Sequence, residues 1–167
     1  MDAVKFTKRD LKQELSKSQM DRIYNSPNSF GKTYGEHRES LELSDIEHFE
    51  LFNYAKSKNL DFIETICGIG GLSLLKLFKP DKLKVASRDL TNLPLIKALA
   101  ENKIPMILST GMSGIKEIDN AIDIITKARN QNFTDPAIKD YLTRVRKFPV
   151  REVNELMKVN ADLLTTI

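Results

Sequence analysis

Several common protein classes are excluded by what this sequence has little of. One cysteine among 167 residues rules out an internal disulfide framework and fits a reducing cytoplasm. No apolar run approaches the roughly 20 residues that a membrane-crossing helix needs, so no membrane partner is expected. Asp2 follows Met1 directly and no cationic stretch precedes an apolar one, so the start does not read as a secretory signal. An excess of one charge is missing too. The 26 Lys and Arg stand against 23 Asp and Glu, a net charge of +3, too small and too scattered for a nucleic-acid partner. What remains is an ordinary globular composition, 41% hydrophobic and 29% charged, long enough for one domain with a real core. A cytoplasmic location is expected.

Along the chain, Ala3 to Phe6 reads as a short strand. A long polar connection follows to about Leu43, with turn signals at Ser26-Pro27-Asn28-Ser29, Gly31 and Gly35 and room for a short helix between Asp10 and Ile23. Connections of this length in compact domains are usually functional or mobile. Ser44 and Glu47 then make a capping box, and Ile46, Phe49, Phe52 and Ala55 recur at helical spacing, predicting a helix with that stripe on the core. Phe62 to Ile66 reads as a strand, Leu72 to Phe78 as a short helix stopped by Pro80, and Leu83 to Ser87 as the next strand. Asn92 to Glu101 follows as a helix with Pro94 tolerated in its first turn. Pro105 to Ser109 is a strand, and Ser113 or Gly114 opens a helix carrying Ile115, Ile118, Ile122 and Ile125 on one face. Strands near residues 62, 83 and 105, each followed by a helix, predict a parallel sheet with helices packed outside. From Gln131 onward no strand is evident. Asp135-Pro136 and the Val150, Val153, Leu156 spacing predict a helical tail.

In parallel α/β folds the working residues gather at the carboxyl ends of strands. Those ends hold two lysines, Lys5 and Lys84, with hydroxyls at Thr65, Ser87, Ser109 and Thr110. Lysines supply point charge for phosphate or carboxylate, and hydroxyls donate hydrogen bonds to the oxygens between them. Amides opening the helix after Gly111 add a further anion contact. Such a set suits a small, doubly anionic ligand. The plainer account, that the hydroxyls cap helices and turns while the lysines reach solvent, stands beside it and is the better one on these residues alone.

Four motifs in order then carry a family likeness. Asp2-Ala3-Val4-Lys5-Phe6-Thr7-Lys8-Arg9 resembles the second barrel strand of the sialic acid synthase (N-acetylneuraminate synthase) family. Thr33-Tyr34-Gly35-Glu36-His37-Arg38-Glu39 with Leu41-Glu42-Leu43 is similar to the connection into that family's second helix. Lys84-Val85-Ala86-Ser87 with Leu90 to Leu95 looks like its lysine-bearing strand and helix start. Ile107-Leu108-Ser109-Thr110-Gly111-Met112 is similar to the next strand end. The likeness runs from Asp2 to about Arg129 and implies the first part of a TIM-type (β/α) barrel. It implies condensation of phosphoenolpyruvate with N-acetylmannosamine or a related amino sugar to a nine-carbon keto-sugar acid, with release of phosphate. It also implies a divalent metal, Mn or Mg, polarising the sugar aldehyde. By resemblance, Lys5, Thr65, Lys84, Ser87 and Ser109 match phosphoenolpyruvate-binding positions, and Asp89 falls at an acidic sugar contact where the family has the longer Glu.

The departures are as informative. Thr7 stands where the family usually has Gln, and Ile66-Cys67-Gly68-Ile69 replaces its proline-aromatic-acidic turn. The family's first strand falls before Met1, and the strands carrying its metal-binding histidines have no match after Arg129. His37 and His48, the two histidines present, lie upstream of those segments. No metal ligand is therefore assigned, and both histidines read as solvated surface imidazoles. Cys67 reads as a buried small apolar group. A complete eightfold barrel takes about 250 residues, so the expectation is an α/β chain with about four parallel strands and outer helices. Residues 1–130 are expected to form the partial barrel and residues 131–167 the helical tail. Such a chain is expected to be truncated and inactive alone, and a homodimer or a complementing chain would cover its open edges. The alternatives are a non-catalytic binding or assembly module derived from the barrel, and a degraded product without activity.

Overall fold

A computed structural model describes residues 2–129. The helical tail expected over 131–167 lies outside them. Two compact units are present, Met1–Val85 with Ile104–Ile107, and Ala86–Lys103 with the described residues from Leu108 onward.

Four strands make one parallel sheet: β1 (Ala3–Lys8), β2 (Asp61–Ile66), β3 (Lys82–Val85) and β4 (Met106–Leu108), in the order β1-β2-β3-β4. A doubly wound sheet reverses its order at a switch point, whereas a (β/α) barrel adds each strand beside the last. The observed order has no reversal, so the chain has the partial-barrel α/β fold that its sequence predicts. The Leu83 amide donates to Pro105 O at 2.8 Å, which brings the approach to β4 alongside β3.

The long connection is not bare loop. It holds α1 (Leu11–Glu14), α2 (Lys17–Met20) and α3 (Tyr34–Glu39), and an isolated bridge between Ile23 and Thr33. Each helix is opened by a side chain that accepts from a backbone amide: Asp10 from Gln13, Ser16 from Gln19, Thr33 from Glu36. The last two are complete capping boxes. Helix α4 (Asp45–Ser57) begins at the predicted box of Ser44 and Glu47. It ends where Asn59 takes φ 57°, a left-handed turn that Asn tolerates better than most residues.

The stripe predicted on α4 is half right: Phe52 and Ala55 pack on the core, and the first turn is out of register. Ile46 is 67% exposed and Phe49 is 38% exposed, while His48 is fully buried and Ala55 nearly so. The inward face runs through His48, Leu51, Phe52 and Ala55. Phe52, Phe62 and Phe78 form the centre of this core with Ala55 and Leu74, and Val4 and Phe6 of β1 pack against it. Phe52 and Phe78 stack at 4.6 Å between ring centroids, and Phe6 and Phe62 at 5.2 Å. Fully burying a phenylalanine side chain contributes roughly 2–3 kcal/mol, so this cluster fixes the sheet against α4. After β2 the chain forms a 3-10 helix (Ile69–Lys76) where a short helix from Leu72 to Phe78 is predicted. Gly68 gives it no side-chain cap, and Gly70 and Gly71 in its first turn oppose α-helix nucleation.

In the second unit, α5 (Leu93–Glu101) is capped by Asn92, with Pro94 in its first turn as predicted, and it buries Leu95, Ile96, Leu99 and Ala100. It packs on α6 (Ile115–Arg129), whose buried side chains are Ile118, Ala121 and Ile125.

Candidate functional site

Side chains on a strand alternate between its two faces, and parallel neighbours in register present theirs side by side. Val4, Phe6 and Phe62 point to the helices, so Lys5, Thr7, Ile63, Thr65, Lys82 and Lys84 share the other face of β1, β2 and β3. The register sets Thr7 beside Thr65 and Thr65 beside Lys84 in one row, and Lys5 beside Ile63 and Ile63 beside Lys82 in the row before it. With strands about 4.8 Å apart, the Thr7-Thr65-Lys84 row spans about the width of a small dianion.

This row lies at the carboxyl ends of the strands and is polar. Lys5 is exposed, and its Nζ donates to Thr7 Oγ1 at 3.1 Å. Lys84 is half-buried. Thr65 is 3% exposed and its Oγ1 has no hydrogen-bond partner. A buried hydroxyl without a partner costs free energy, so Thr65 is an unfilled donor and acceptor on the face where the sequence places anion contacts. Lys5, Thr65 and Lys84 are thus brought together. Ser87 and Asp89 lie in a short 3-10 turn directly after β3 (Ser87–Asp89), and Ser109 directly follows β4. These three belong to the second unit, and Asp89 Oδ2 lies 3.6 Å from Nε of the adjacent Arg88.

The helix-facing side of β2 holds a pair that pattern reading misses. His48 Nδ1 is 3.0 Å from Glu64 Oε2, and both side chains are completely buried. His48 is therefore no solvated imidazole. A signal for this was present: a carboxylate at an inward position of an otherwise apolar strand demands a partner. His37 is also not a plain surface group. Its ring stacks on Phe30 at 5.9 Å and lies 4.7 Å from Tyr24, and its Nδ1 accepts from the Phe30 amide at 3.3 Å. Cys67 is buried, as its sequence reading expected.

A cleft of about 370 Å³ opens at the end of β1, lined among others by Lys8, Arg9, Asp10, Asp45, Gly70 and Ser73. Several of its charged groups are already paired. Asp45 accepts from Lys8 at 2.7 Å and from Ser73 at 2.8 Å, and Arg9 meets Glu42 at 2.9 Å. Burial pushes the Asp45 carboxyl up, but hydrogen bonds from Lys8 and Ser73 outweigh it and hold it below the ordinary carboxylate value.

The described residues do not fit a divalent metal. His48 is sealed on Glu64, His37 lies among rings, and no group of three or more His, Cys, Asp and Glu among the described residues is arranged to hold an ion. No helix among the described residues is long and apolar enough to cross a membrane.

Four parallel strands added one beside the next, with helices between them, place the chain among the (β/α) barrel proteins. The NeuB family profile matches residues 1–160, and the chain belongs to the NeuB family. It is 32% identical to N-acetylneuraminate-9-phosphate synthase of Drosophila melanogaster over 130 residues, which is 78% of this chain and 35% of that protein. Against the Homo sapiens protein of the same name it is 32% identical over 163 residues, covering 97% of this chain and 45% of the relative. A crystal structure of N-acetylneuraminic acid (sialic acid) synthetase from Leptospira borgpetersenii serovar Hardjo-bovis, in complex with citrate, superposes with a TM-score of 0.60 at 25% identity. It covers 77% of this chain and 40% of that one. The chain thus spans less than half the length of each of these relatives.

Proposed function

We propose that this chain supplies the phosphoenolpyruvate side of a synthase that condenses phosphoenolpyruvate with N-acetylmannosamine or a related amino sugar. The product is a nine-carbon keto-sugar acid, and phosphate leaves. The observation that carries the reading is the Thr7-Thr65-Lys84 row, with the unpartnered, buried Thr65 hydroxyl beside Lys84 and with Lys5 on the same face. Phosphoenolpyruvate brings a phosphate and a carboxylate. Two ammonium groups offset that charge, and hydroxyls donate to its oxygens. Charge that builds on those oxygens during carbon–carbon bond formation is stabilised by donors already in position. The citrate in the Leptospira neighbour, a small polyanion, agrees with this chemistry. Ser87, Ser109 and, on the sugar side, Asp89 carry their roles by family likeness. None of these contacts uses the family's metal.

The residues in hand carry the phosphoenolpyruvate side of the reaction, over a span that is 35% and 45% of the two N-acetylneuraminate-9-phosphate synthases compared. Turnover requires the rest of a barrel, and the reading takes the reaction to be cytoplasmic. The test is a thermal melt of the chain with and without phosphoenolpyruvate. The reading expects a ligand-induced rise in melting temperature that Lys84→Ala abolishes. A melt indifferent to phosphoenolpyruvate overturns it in favour of a non-catalytic module.

A further inference from the structure

We propose that Thr7 is a positioning residue for Lys5, and that position 7 in this chain serves the phosphorylated acid rather than the sugar. The inference rests on the reading of this sheet face as the phosphoenolpyruvate side and adds a residue to it. Lys5 and Thr7 are two apart on β1 and so project from the same face. The Lys5 ammonium donates to Thr7 Oγ1 at 3.1 Å. An exposed lysine has a long, freely rotating stem, and anchoring its ammonium removes much of that freedom before a ligand arrives, which lowers the cost of binding. The anchor uses one of three ammonium donors and leaves two. A threonine hydroxyl that accepts one hydrogen bond keeps its own proton to donate.

The register gives that proton a direction. Thr7 pairs with Thr65, and Thr65 with Lys84. Two threonines therefore stand side by side, with Lys5 on the Thr7 hydroxyl and Lys84 in register with Thr65, and Thr65 is 3% exposed with its hydroxyl unpartnered. An anionic ligand that satisfies Thr65 lies next to Thr7 by the same spacing. The short Thr7 side chain, held by Lys5, completes the anion row.

The experiment is calorimetric titration of the full 167-residue chain with phosphoenolpyruvate, comparing wild type with Thr7→Val, Thr7→Ser, Lys5→Met and the Thr7→Val/Lys5→Met double variant. Thr7→Val keeps the shape and loses the hydroxyl. It is expected to bind about tenfold more weakly, the scale of one charge-assisted hydrogen bond, with its ligand-free melting temperature unchanged. Thr7→Ser is expected within about twofold of wild type, and Thr7→Val is expected to add little in the Lys5→Met background. A merely structural threonine would move neither the serine rescue nor the coupling to Lys5. Wild type and Thr7→Val binding equally well overturns this inference and leaves the proposed function standing. Full additivity of the two substitutions does the same. No binding by wild type overturns both.

Discussion

Nδ1 of His48 on α4 meets Oε2 of Glu64 on β2 at 3.0 Å, with neither side chain exposed. This contact ties the helix layer to the strand that carries Thr65. His48 Nε2 and Glu64 Oε1 have no partner of their own, so the pair has nothing to fall back on when one member is removed.

Glu64→Ala and His48→Ala are each expected to lower stability by about 3 kcal/mol, since each leaves a buried polar group unpaired. Replacing both together, as His48→Leu with Glu64→Leu, is expected to recover most of that loss. Urea denaturation of the three variants checks this. Single losses that simply add in the double variant would show that the two residues do not act as a pair.

Thr65→Val separates stability from binding. It removes a buried hydroxyl that has no partner and keeps the side-chain shape. The ligand-free chain is expected to melt at the same temperature or higher, by up to about 1 kcal/mol in stability. The rise that phosphoenolpyruvate gives the wild type is expected to shrink. Melts with and without ligand read both effects.

Gly35 marks a close approach between α3 and α2. A Cβ there would stand 2.9 Å from both Met20 Cε and Met20 O. The thioether can swing away, but the carbonyl cannot, so Gly35→Ala is expected to cost about 1–3 kcal/mol. Equilibrium unfolding should report it, with no change at α4.

Asp81 gives a pH dependence of known sign. Burial pushes its carboxyl up, but Lys56, at 2.8 Å and 2.9 Å, and the Phe62 amide, at 2.7 Å, pull it below the ordinary value of 3.8. A carboxyl lowered in the folded state contributes stability that is fully present above 3.8 and is lost as pH falls through the folded value. Asp81→Asn is therefore expected to melt below wild type near pH 6, by less than about 1 kcal/mol for so solvated a pair. The gap should close towards pH 2. Paired melts across that range measure it.

The sequence disclosed the parallel strands because each is bounded by its own turn signals and followed by a helical period. It also disclosed which strand ends carry charge, since alternation puts Lys5, Thr65 and Lys84 on one face once the strands are placed. The register of the first turn of α4 was hidden. Counting apolar residues selects Ile46 and Phe49, but the buried turn is set by His48, a polar group whose value depends on Glu64 sixteen residues on. In the long connection only room for one short helix between Asp10 and Ile23 was legible, and the capping boxes at Ser16/Gln19 and Thr33/Glu36 went unread. Helices of four to six residues leave too little periodicity to find them otherwise. The Thr7 contact could not be read at all, because it depends on where a flexible lysine places its ammonium.

Cys67, the sole thiol of the chain, is 6% exposed and sits two residues past Thr65. Its alkylation must wait for the end of β2 to open, so the unmodified protein carries its own chemical clock for that event. A compound that grips the Thr65 hydroxyl should slow the clock, and mass spectrometry of the labelled chain would time it without any substitution.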